Sequence, residues 1–138
     1  MTLLDTNVII YFLKGVPSIV TRILAMKRPE LAIPSIVAYE IEYGTLRATG
    51  TRRREIITRL LNDSRQVPFN HEAAREAARI RLELEKDGMV IGPMDLMIAG
   101  TALSRGAVLA TNNAKEFERV KGLRLANWAD NPGRTNAE

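Results

Sequence analysis

Short apolar runs alternate with amphipathic segments along the chain. The runs TLLD (2–5), ELAIP (30–34), AVLAT (107–111) and LRLAN (123–127) are brief and mostly apolar, which is typical of buried strands. The segments between them place apolar residues three and four positions apart, the spacing of an amphipathic helix. Strands that alternate with helices predict an α/β fold whose parallel sheet carries helices on both faces.

Turn and capping residues mark the ends of the predicted helices. Thr6 and Asn7 favour the start of the first helix, Ser35 favours the start of the third, and Asp87 with Gly88 ends the longest. The predicted helices begin at residue 6, cover residues 17–27, run from 36 to an end near Gly50, and cover 52–62, 72–86, 92–106 and 116–120. The short apolar stretch QVPF separates the fourth helix from the fifth.

Composition excludes several classes of protein. The chain has 138 residues, of which 46% are hydrophobic, so one compact domain with a sizeable core is expected. It has no Cys and one histidine, His71, so disulfides and ordinary zinc sites are excluded and any metal would be held by oxygen. The segment after Trp128 has no apolar face, which predicts a domain over residues 1–129 and a disordered tail over 130–138.

Charge and hydropathy add two weaker expectations. The net charge of +4 favours an acidic partner such as nucleic acid, although solubility alone is the simpler explanation. No apolar run reaches the ~20 residues of a membrane span, and the N-terminus does not have the pattern of a leader peptide. A cytoplasmic protein without membrane contact is therefore expected.

Polar residues follow two of the predicted strands. Asp5 closes the first strand, and Thr111, Asn112 and Asn113 come directly after the apolar run AVLA. In open parallel sheets the functional crevice lies beyond the carboxyl ends of the strands. Each of these residues taken singly is nevertheless explained more simply by turn and capping chemistry.

Two acids within predicted helices are harder to explain. Glu40 shares a helix face with apolar residues and with Gly44, which could leave room beside it, whereas Glu42 points elsewhere. Asp95 lies on an apolar stripe with Ile98 and its neighbours. A carboxylate that is buried there without a partner would cost several kcal/mol, so something must compensate its charge.

Three explanations for Asp95 remain open from the residues alone. It caps its helix after Pro93, where the helix dipole favours an anion. It pairs with a cation such as Arg105, which lies nearly three turns away. Alternatively, Asp95 faces Asp5 and Glu40 across a shared cation, which would explain all three acids together.

An all-oxygen site of this kind suits Mg²⁺, or Mn²⁺ in its place, with the coordination completed by a substrate phosphate. Such a site activates water and stabilises the charge that develops in phosphodiester hydrolysis. Other catalytic plans find little support, since the sequence has no nucleophile elbow, phosphate-binding loop or dinucleotide-binding turn. His71 is predicted to begin a helix and not to act as a catalyst.

Four motifs occur in a characteristic order, namely LLDTN, YEIEYG, GPMDLMIAGTAL and ATNNAKEFERVKGLRLANW. Together they resemble the PIN-domain ribonucleases of the VapC toxin type, over a span from Leu3 to Trp128. The resemblance implies a three-layer α/β/α domain with a central, mainly parallel sheet of four to five strands. It also implies that Asp5, Glu40 and Asp95 are the metal-binding acids of the site.

One position departs from the fullest family pattern. Many PIN domains carry a fourth acid after the fourth strand, where this chain has Asn112 and Asn113, with Glu116 one turn later. This leaves open whether a second metal binds. The catalytic residues implied are Asp5, Glu40, Asp95 and Asn113, with Glu116 either near the site or a plain charge at a helix start. The candidate substrate contacts are Thr6, Asn7, Thr111, Asn112 and Arg47.

The resemblance further implies a homodimer, a VapB-type antitoxin whose C-terminal segment blocks the site, and DNA contact only through that antitoxin. The predicted function is a Mg²⁺-dependent endoribonuclease toxin that cuts transfer RNA or other structured RNA. An Arg-rich region is available for phosphates or an acidic partner segment, or is simply a solvated face. Its members are Arg47, Arg52, Arg53, Arg54, Arg59 and Arg65.

Aromatic residues are few, so recognition of RNA by shape and backbone is expected in preference to base contacts. Tyr39, Tyr43, Ile36 and Leu46 belong either to the core or to a groove for a partner. The alternative function is a noncatalytic nucleic-acid or protein-binding module that acts in transcriptional control. Such a module should have lost at least one of the three acids, and none is lost. A DNA nuclease is disfavoured by the small size of the chain.

Overall fold

A computed structural model of the protein describes residues 1–128. The predicted tail, residues 130–138, lies outside the described residues, as does the last residue of the predicted domain. The strands are β1 (Thr2–Leu4), β2 (Leu31–Pro34), β3 (Arg65–Val67), β4 (Val108–Ala110) and β5 (Arg124–Ala126). The helices are α1 (Thr6–Leu13), α2 (Pro17–Ala25), α3 (Ser35–Arg47), α4 (Thr51–Asp63), α5 (His71–Lys86), α6 (Pro93–Ser104) and α7 (Ala114–Phe117).

The five strands form one parallel sheet in the order β3-β2-β1-β4-β5. This arrangement confirms the predicted α/β fold with a parallel sheet. Leu4 in β1 is paired with Ala110 in β4, and the backbone N–H of Asp5 donates to the Ala110 carbonyl over 2.9 Å. The residues that follow these two strands are therefore brought side by side at one edge of the sheet.

The core lies between the sheet and its helices. Leu3, Ile33 and Leu109 in the central strands are fully buried, as expected for a parallel sheet covered on both faces. Val8 in α1 and Val37 in α3 are buried against the same core. Because the central strands are held from both faces, the residues at their carboxyl ends have little freedom to move.

The helices α5 and α6 pack closely at Gly100. A Cβ atom at Gly100 would lie 2.6 Å from the Ala73 carbonyl oxygen and 2.8 Å from the Ala77 Cβ atom. Real Cβ atoms do not approach that closely, so only glycine fits at this contact. The rest of α6 is also largely buried, which confirms the prediction of a core helix in this segment.

Several helix and strand boundaries differ from the predicted ones. Ser35 does not cap α3, since its hydroxyl donates to the Val67 carbonyl in β3 over 3.2 Å. The helix α3 ends at Arg47, three residues before Gly50. The stretch around QVPF contributes the edge strand β3. The helix α7 begins at Ala114 and lasts only four residues.

Within residues 1–128, no single helix is long and apolar enough to cross a membrane. The helices α1 and α2 reach such a length and composition only as a pair bent by 106°. The apolar residues Val8, Ile9, Ile19 and Ile23 of this pair are buried in the core.

Candidate active site

Asp5 is fixed at the carboxyl end of β1 by two hydrogen bonds. Its side chain is almost fully buried, with Oδ1 accepting from the Thr6 backbone N–H over 2.8 Å and Oδ2 accepting from the Thr111 hydroxyl over 2.7 Å. Burial raises the pKa of Asp5, while these two hydrogen bonds lower it. Asp5 is also the N-cap of α1, so the prediction that Thr6 and Asn7 cap this helix was wrong.

Thr6 links Asp5 to the acid on α3. As the first residue of α1 it presents its hydroxyl to Glu40, donating to Oε1 over 3.1 Å. Glu40 is half-buried. Asn7, by contrast, is exposed on the first turn of α1. The structure therefore places Thr6, and not Asn7, between two of the predicted site acids.

A tight turn after β4 forms the opposite side of the site. The buried Thr111 hydroxyl accepts from the Asn113 backbone N–H over 2.9 Å while it donates to Asp5. The Asn113 amide then donates to Glu116 Oε2 over 3.2 Å. One hydroxyl thus ties the turn to β1, and one amide orients Glu116. The Asn112 side chain has both polar atoms buried without a hydrogen-bond partner.

Asp95 lies in the first turn of α6 and is half-buried. Gly92 is the N-cap of this helix, and no side chain forms a cap hydrogen bond, so the prediction that Asp95 caps α6 is wrong. Its position in the first turn does agree with the expectation that the helix dipole favours an anion there. Arg105 is the exposed C-cap residue at the other end of α6, and it forms no salt bridge with Asp95. Neither a cap hydrogen bond nor an ion pair with Arg105 therefore compensates the charge of Asp95.

The environment of Asp95 consists of other carboxylates. Burial raises the pKa of Asp95 to about 7, together with a hydrogen bond to Glu116 and the negative charges of Asp5, Glu116 and Glu40. We call Asp5, Glu40, Asp95 and Glu116 the acid cluster. None of its members forms a salt bridge with a basic residue within residues 1–128.

The acid cluster fits a hard divalent cation in charge and in donor type. Its donors are all oxygen atoms, and mutual repulsion among uncompensated carboxylates is what such an ion offsets. As the side chains stand, no three acidic or histidine residues of the described chain converge closely enough to enclose an ion. Binding would therefore require small rotations of carboxylates that the backbone already brings together.

The sequence predicted four residues of the site but not two of the hydrogen bonds that hold them. It singled out Asp5, Glu40, Asp95 and Asn113, and left Glu116 undecided. It did not anticipate the hydrogen bonds from Thr6 to Glu40 and from Thr111 to Asp5. For Glu116 the available signal was its spacing of three from Asn113, which puts both side chains on one side of a helical turn. The two hydrogen bonds had no signal in the sequence, because each joins residues of distant segments.

The remaining predicted contacts lie outside the acid cluster. His71 begins α5 as predicted and is exposed. Arg47 is exposed at the end of α3, where its guanidinium lies 5.6 Å from the centre of the Tyr43 ring. Tyr39 and Tyr43 are 58% and 54% exposed, so the possibility that they are core residues is excluded.

A separate groove of about 700 Å³ lies between α2 and α4, and no member of the acid cluster lines it. Its apolar wall includes Phe12, Leu24 and Ile56. Basic residues, among them Arg52 and Arg59, stand at its edge. The hydroxyl of Ser64, also in its lining, is buried without a hydrogen-bond partner.

Comparison with known proteins finds relatives that match nearly the whole chain. The PIN domain model matches residues 2–123. The tRNA(fMet)-specific endonuclease VapC of Shigella flexneri is 35% identical over 128 residues, covering 92% of this chain and 97% of that protein. Ribonuclease VapC2 of Rickettsia felis is 33% identical and covers 91% of this chain and 96% of its own.

Two solved structures are similar in fold as well as in sequence. VapBC2 from Rickettsia felis, bound to a DNA fragment from its promoter, contains a chain that is 32% identical, with a TM-score of 0.84 and coverage of 92% and 98%. DNA-bound VapBC from Salmonella typhimurium contains one that is 34% identical, with a TM-score of 0.85 and coverage of 92% and 97%.

Proposed function

The chain belongs to the PIN-domain family, in which it is a homologue of VapC proteins, and from this we propose that it is a metal-dependent endoribonuclease toxin of a VapBC-type pair. The feature that best supports this function is the acid cluster, which forms no salt bridge within residues 1–128 and lies near the carboxyl ends of β1 and β4. Such an arrangement costs folding free energy, so it is expected only where the charges are used.

We propose Mg²⁺ as the cofactor, with Mn²⁺ as a substitute. Asp5, Glu40 and Asp95 would hold the ion. Glu116 and the Asn113 amide, in the segment after β4, would supply further oxygen ligands. A divalent ion bound there offsets the carboxylate repulsion, lowers the pKa of water and stabilises the charge of phosphodiester hydrolysis.

The hydrogen bonds of the chain determine how these side chains are presented. Thr111 and the Thr6 N–H hold both oxygens of Asp5, and the Thr6 hydroxyl holds one oxygen of Glu40. Asn113 holds one oxygen of Glu116. Because each carboxylate keeps free lone pairs beside its hydrogen bond, these bonds orient the acids without using up their capacity to bind a cation.

The substrate that we propose is transfer RNA or another structured RNA. Support comes from the relatives of Shigella flexneri and Salmonella typhimurium, which are named tRNA(fMet)-specific endonucleases and are 35% and 34% identical to this chain. The net charge of +4 agrees with a polyanionic substrate.

The experiment that tests this function is cleavage of total tRNA by the purified chain in Mg²⁺, with and without EDTA. Asp5→Asn, Glu40→Gln and Asp95→Asn should each reduce the rate of cleavage by at least about 100-fold, because each removes a charge that the reaction uses. The matched control is Glu42→Gln, since Glu42 is an exposed acid two residues from Glu40 on the same helix. Cleavage that persists in EDTA or in all three variants would refute the metal site.

The noncatalytic alternative is not favoured. A binding module that acts only in transcriptional control has no need of four carboxylates held together without counter-charge. It predicts that the unmodified chain leaves RNA intact in Mg²⁺, so the same assay separates the two functions.

We also propose a VapB-type antitoxin as the partner, with DNA reached only through it, and a homodimer in the cytoplasm. The structural neighbours are VapBC complexes. The groove between α2 and α4 suits an amphipathic antitoxin segment, because it combines an apolar wall with Arg52 and Arg59, which favour acidic side chains. Arg28 in the same lining is paired with Asp63, and Glu55 is the other acid there. Co-expression with a candidate antitoxin should give a complex that Ile56→Asp disrupts.

A further inference from the structure

Four residues form an exposed strip on α3 beside the acid cluster. Tyr39, Tyr43 and Leu46 are 58%, 54% and 76% exposed, which is unusual for side chains of this size. Arg47 is also exposed and lies over the Tyr43 ring. We refer to Tyr39, Tyr43, Leu46 and Arg47 as the α3 strip. Nothing in the proposed chemistry of the acid cluster uses it.

Helix geometry places the α3 strip next to Glu40. With 1.5 Å of rise and 100° of turn per residue, Tyr43 lies about 4.5 Å along the axis from Glu40 and about 60° around it. Arg47 lies about 10 Å along the axis and about 20° around it by the same geometry. The buried Val37 and Ile41 occupy the other side of the helix. The strip therefore extends from the acid cluster along the solvent side of α3.

Two basic residues border the strip. The Arg47 guanidinium is 5.6 Å from the centre of the Tyr43 ring, in a cation–π contact. The Arg53 guanidinium on α4 reaches α3 at Gly44, where a Cβ atom would lie 3.6 Å from its Nη2 atom. Neither arginine takes part in a salt bridge in the described part of the chain. Both therefore offer positive charge beside the aromatic rings.

We propose, on the basis of the ribonuclease function above, that the α3 strip binds the unpaired nucleotides that adjoin the scissile phosphate. Tyr43 and Tyr39 stack on bases, while Arg47 and Arg53 contact the phosphates between them. Exposed tyrosines and arginine planes are the groups on which proteins stack unpaired bases. Arg47 covers one face of the Tyr43 ring and leaves the other face for a base.

Charge favours RNA over a second copy of the chain as the occupant. A two-fold contact through the strip would bury Arg47 and Arg53 of both copies in one interface, where each would need an acidic partner from the other copy. A polyanion meets the same surface with opposite charge. The strip should also select unpaired RNA, because the bases of a duplex are already stacked and offer no face to a tyrosine ring.

The experiment measures binding apart from cleavage. In the Asp5→Asn background, which should bind RNA without cutting it, the fluorescence of 2-aminopurine reports stacking in a short single-stranded RNA. A blunt, fully paired RNA duplex of the same length serves as the second probe. Tyr43→Ala should weaken single-strand binding by about tenfold, the loss typical of one stacked base. Tyr43→Phe, which keeps the ring, should stay within about twofold of the parent.

The matched control is Leu82→Ala, because Leu82 is 56% exposed but lies on α5. It should leave affinity for both probes unchanged. Equal binding by Tyr43→Ala and its parent would overturn the inference, as would an equal loss on both probes. A shift from dimer to monomer in sedimentation velocity, with RNA affinity intact, would assign the strip to contact between copies and overturn it too.

Failure of this inference can be distinguished from failure of the proposed function. If the unmodified chain cuts no RNA in Mg²⁺ but the Tyr43 variants bind as expected, ribonuclease function fails while single-strand binding by the strip stands. If the chain cuts RNA and the Tyr43 variants bind normally, only the strip is wrong.

Discussion

Asp95 is the residue whose charge is least favourable to the fold, and the proposed function gives that charge a use. Its carboxylate lies on a core helix, and three other acids surround it without a basic residue in salt-bridge contact. The unfolded chain separates these acids, so repulsion is felt only in the folded state. The unusual position of Asp95 could be recognised from the sequence, because an apolar helix face does not ordinarily carry a charge. The contact with Glu116 was not predictable, since it depends on where α7 lies beside α6.

Asp95→Asn should raise the free energy of unfolding in metal-free buffer at pH 8. The pKa of Asp95 is raised from 3.8 to about 7 in the folded state, so the folded chain holds this proton more tightly than the unfolded chain. Stability is therefore lost as pH rises from about 4 through about 7, and the loss is complete above it. Because Asp95 is half-exposed, the expected gain is only about 1 kcal/mol.

Urea unfolding followed at pH 5 and pH 8 measures this effect, and the gain should be smaller at pH 5. Asp87→Asn is the control, because Asp87 is exposed at the end of α5. A loss of stability in Asp95→Asn at pH 8 would mean that Asp95 contributes a favourable interaction.

Thr111 is the second residue whose role is open to a direct test. Its hydroxyl is fully buried, donates to Asp5 and accepts from the Asn113 N–H, so Thr111→Val leaves two buried groups unsatisfied. The expected loss of stability is about 1–3 kcal/mol. The rate of RNA cleavage should fall by about tenfold or more, because a carboxylate ligand loses its orientation.

Thr111→Ser keeps the hydroxyl and should retain most of both properties. Thr58→Val, at an exposed position of α4, should change neither. If Thr111→Val cleaves RNA as fast as the parent, the hydroxyl does not orient Asp5.

At the scale of elements, α6 is held by its packing against α5. The close approach at Gly100 fixes the position of α6, and Asp95 is carried into the acid cluster by the first turn of that helix. The helical pattern of this segment was predictable from its apolar spacing and its Gly-Pro start. The need for a glycine at position 100 was not predictable, because the atoms that exclude a Cβ atom there belong to Ala73 and Ala77 on another helix.

Gly100→Ala should destabilise the fold although alanine is the better helix former. A Cβ atom 2.6 Å from the Ala73 carbonyl oxygen forces α5 and α6 apart, at a cost of about 1–3 kcal/mol that exceeds the gain in helix propensity of about 1 kcal/mol. Gly44→Ala is the matched control in a helix, since its nearest neighbour would be at an ordinary 3.6 Å. Thermal unfolding should show a lower midpoint for Gly100→Ala and an equal or higher one for Gly44→Ala.

An interaction between elements also explains why Ser35 does not cap α3. Ser35 is a good capping residue by type, yet its hydroxyl bonds to β3, which the pattern of residues 65–69 did not define as a strand. The exposure of Tyr39 and Tyr43 was likewise not predictable from the sequence. Their spacing is compatible with a buried face, and only the position of α3 against the sheet decides that they face solvent.

At the scale of the whole molecule, the site depends on the order of the strands. Alternating patterns predicted a parallel sheet, but they did not specify the order β3-β2-β1-β4-β5. That order brings Asp5 beside Thr111, although 106 positions separate them in sequence. Asp5, Glu40 and Asp95 could be grouped beforehand because each was unusual and because the motifs resemble those of a known family. Their hydrogen bonds come from tertiary structure alone.

Divalent cation binding should appear in the stability of the whole domain, independently of cleavage. An ion that binds the folded acid cluster, and not the separated acids of the unfolded chain, stabilises the fold by mass action. At a free Mg²⁺ concentration ten times the Kd, the gain is about 1.4 kcal/mol, or about 4 °C in melting temperature for a domain of this size. The Asp5→Asn, Asp95→Asn double variant should melt at a temperature independent of Mg²⁺. Added KCl at matched ionic strength controls for screening. An equal rise in melting temperature in both proteins would mean that the ion binds elsewhere. If the melting temperature of the unmodified chain does not rise even at about 10 times the Mg²⁺ concentration that supports cleavage, the ion used in cleavage does not bind the acid cluster of the free protein.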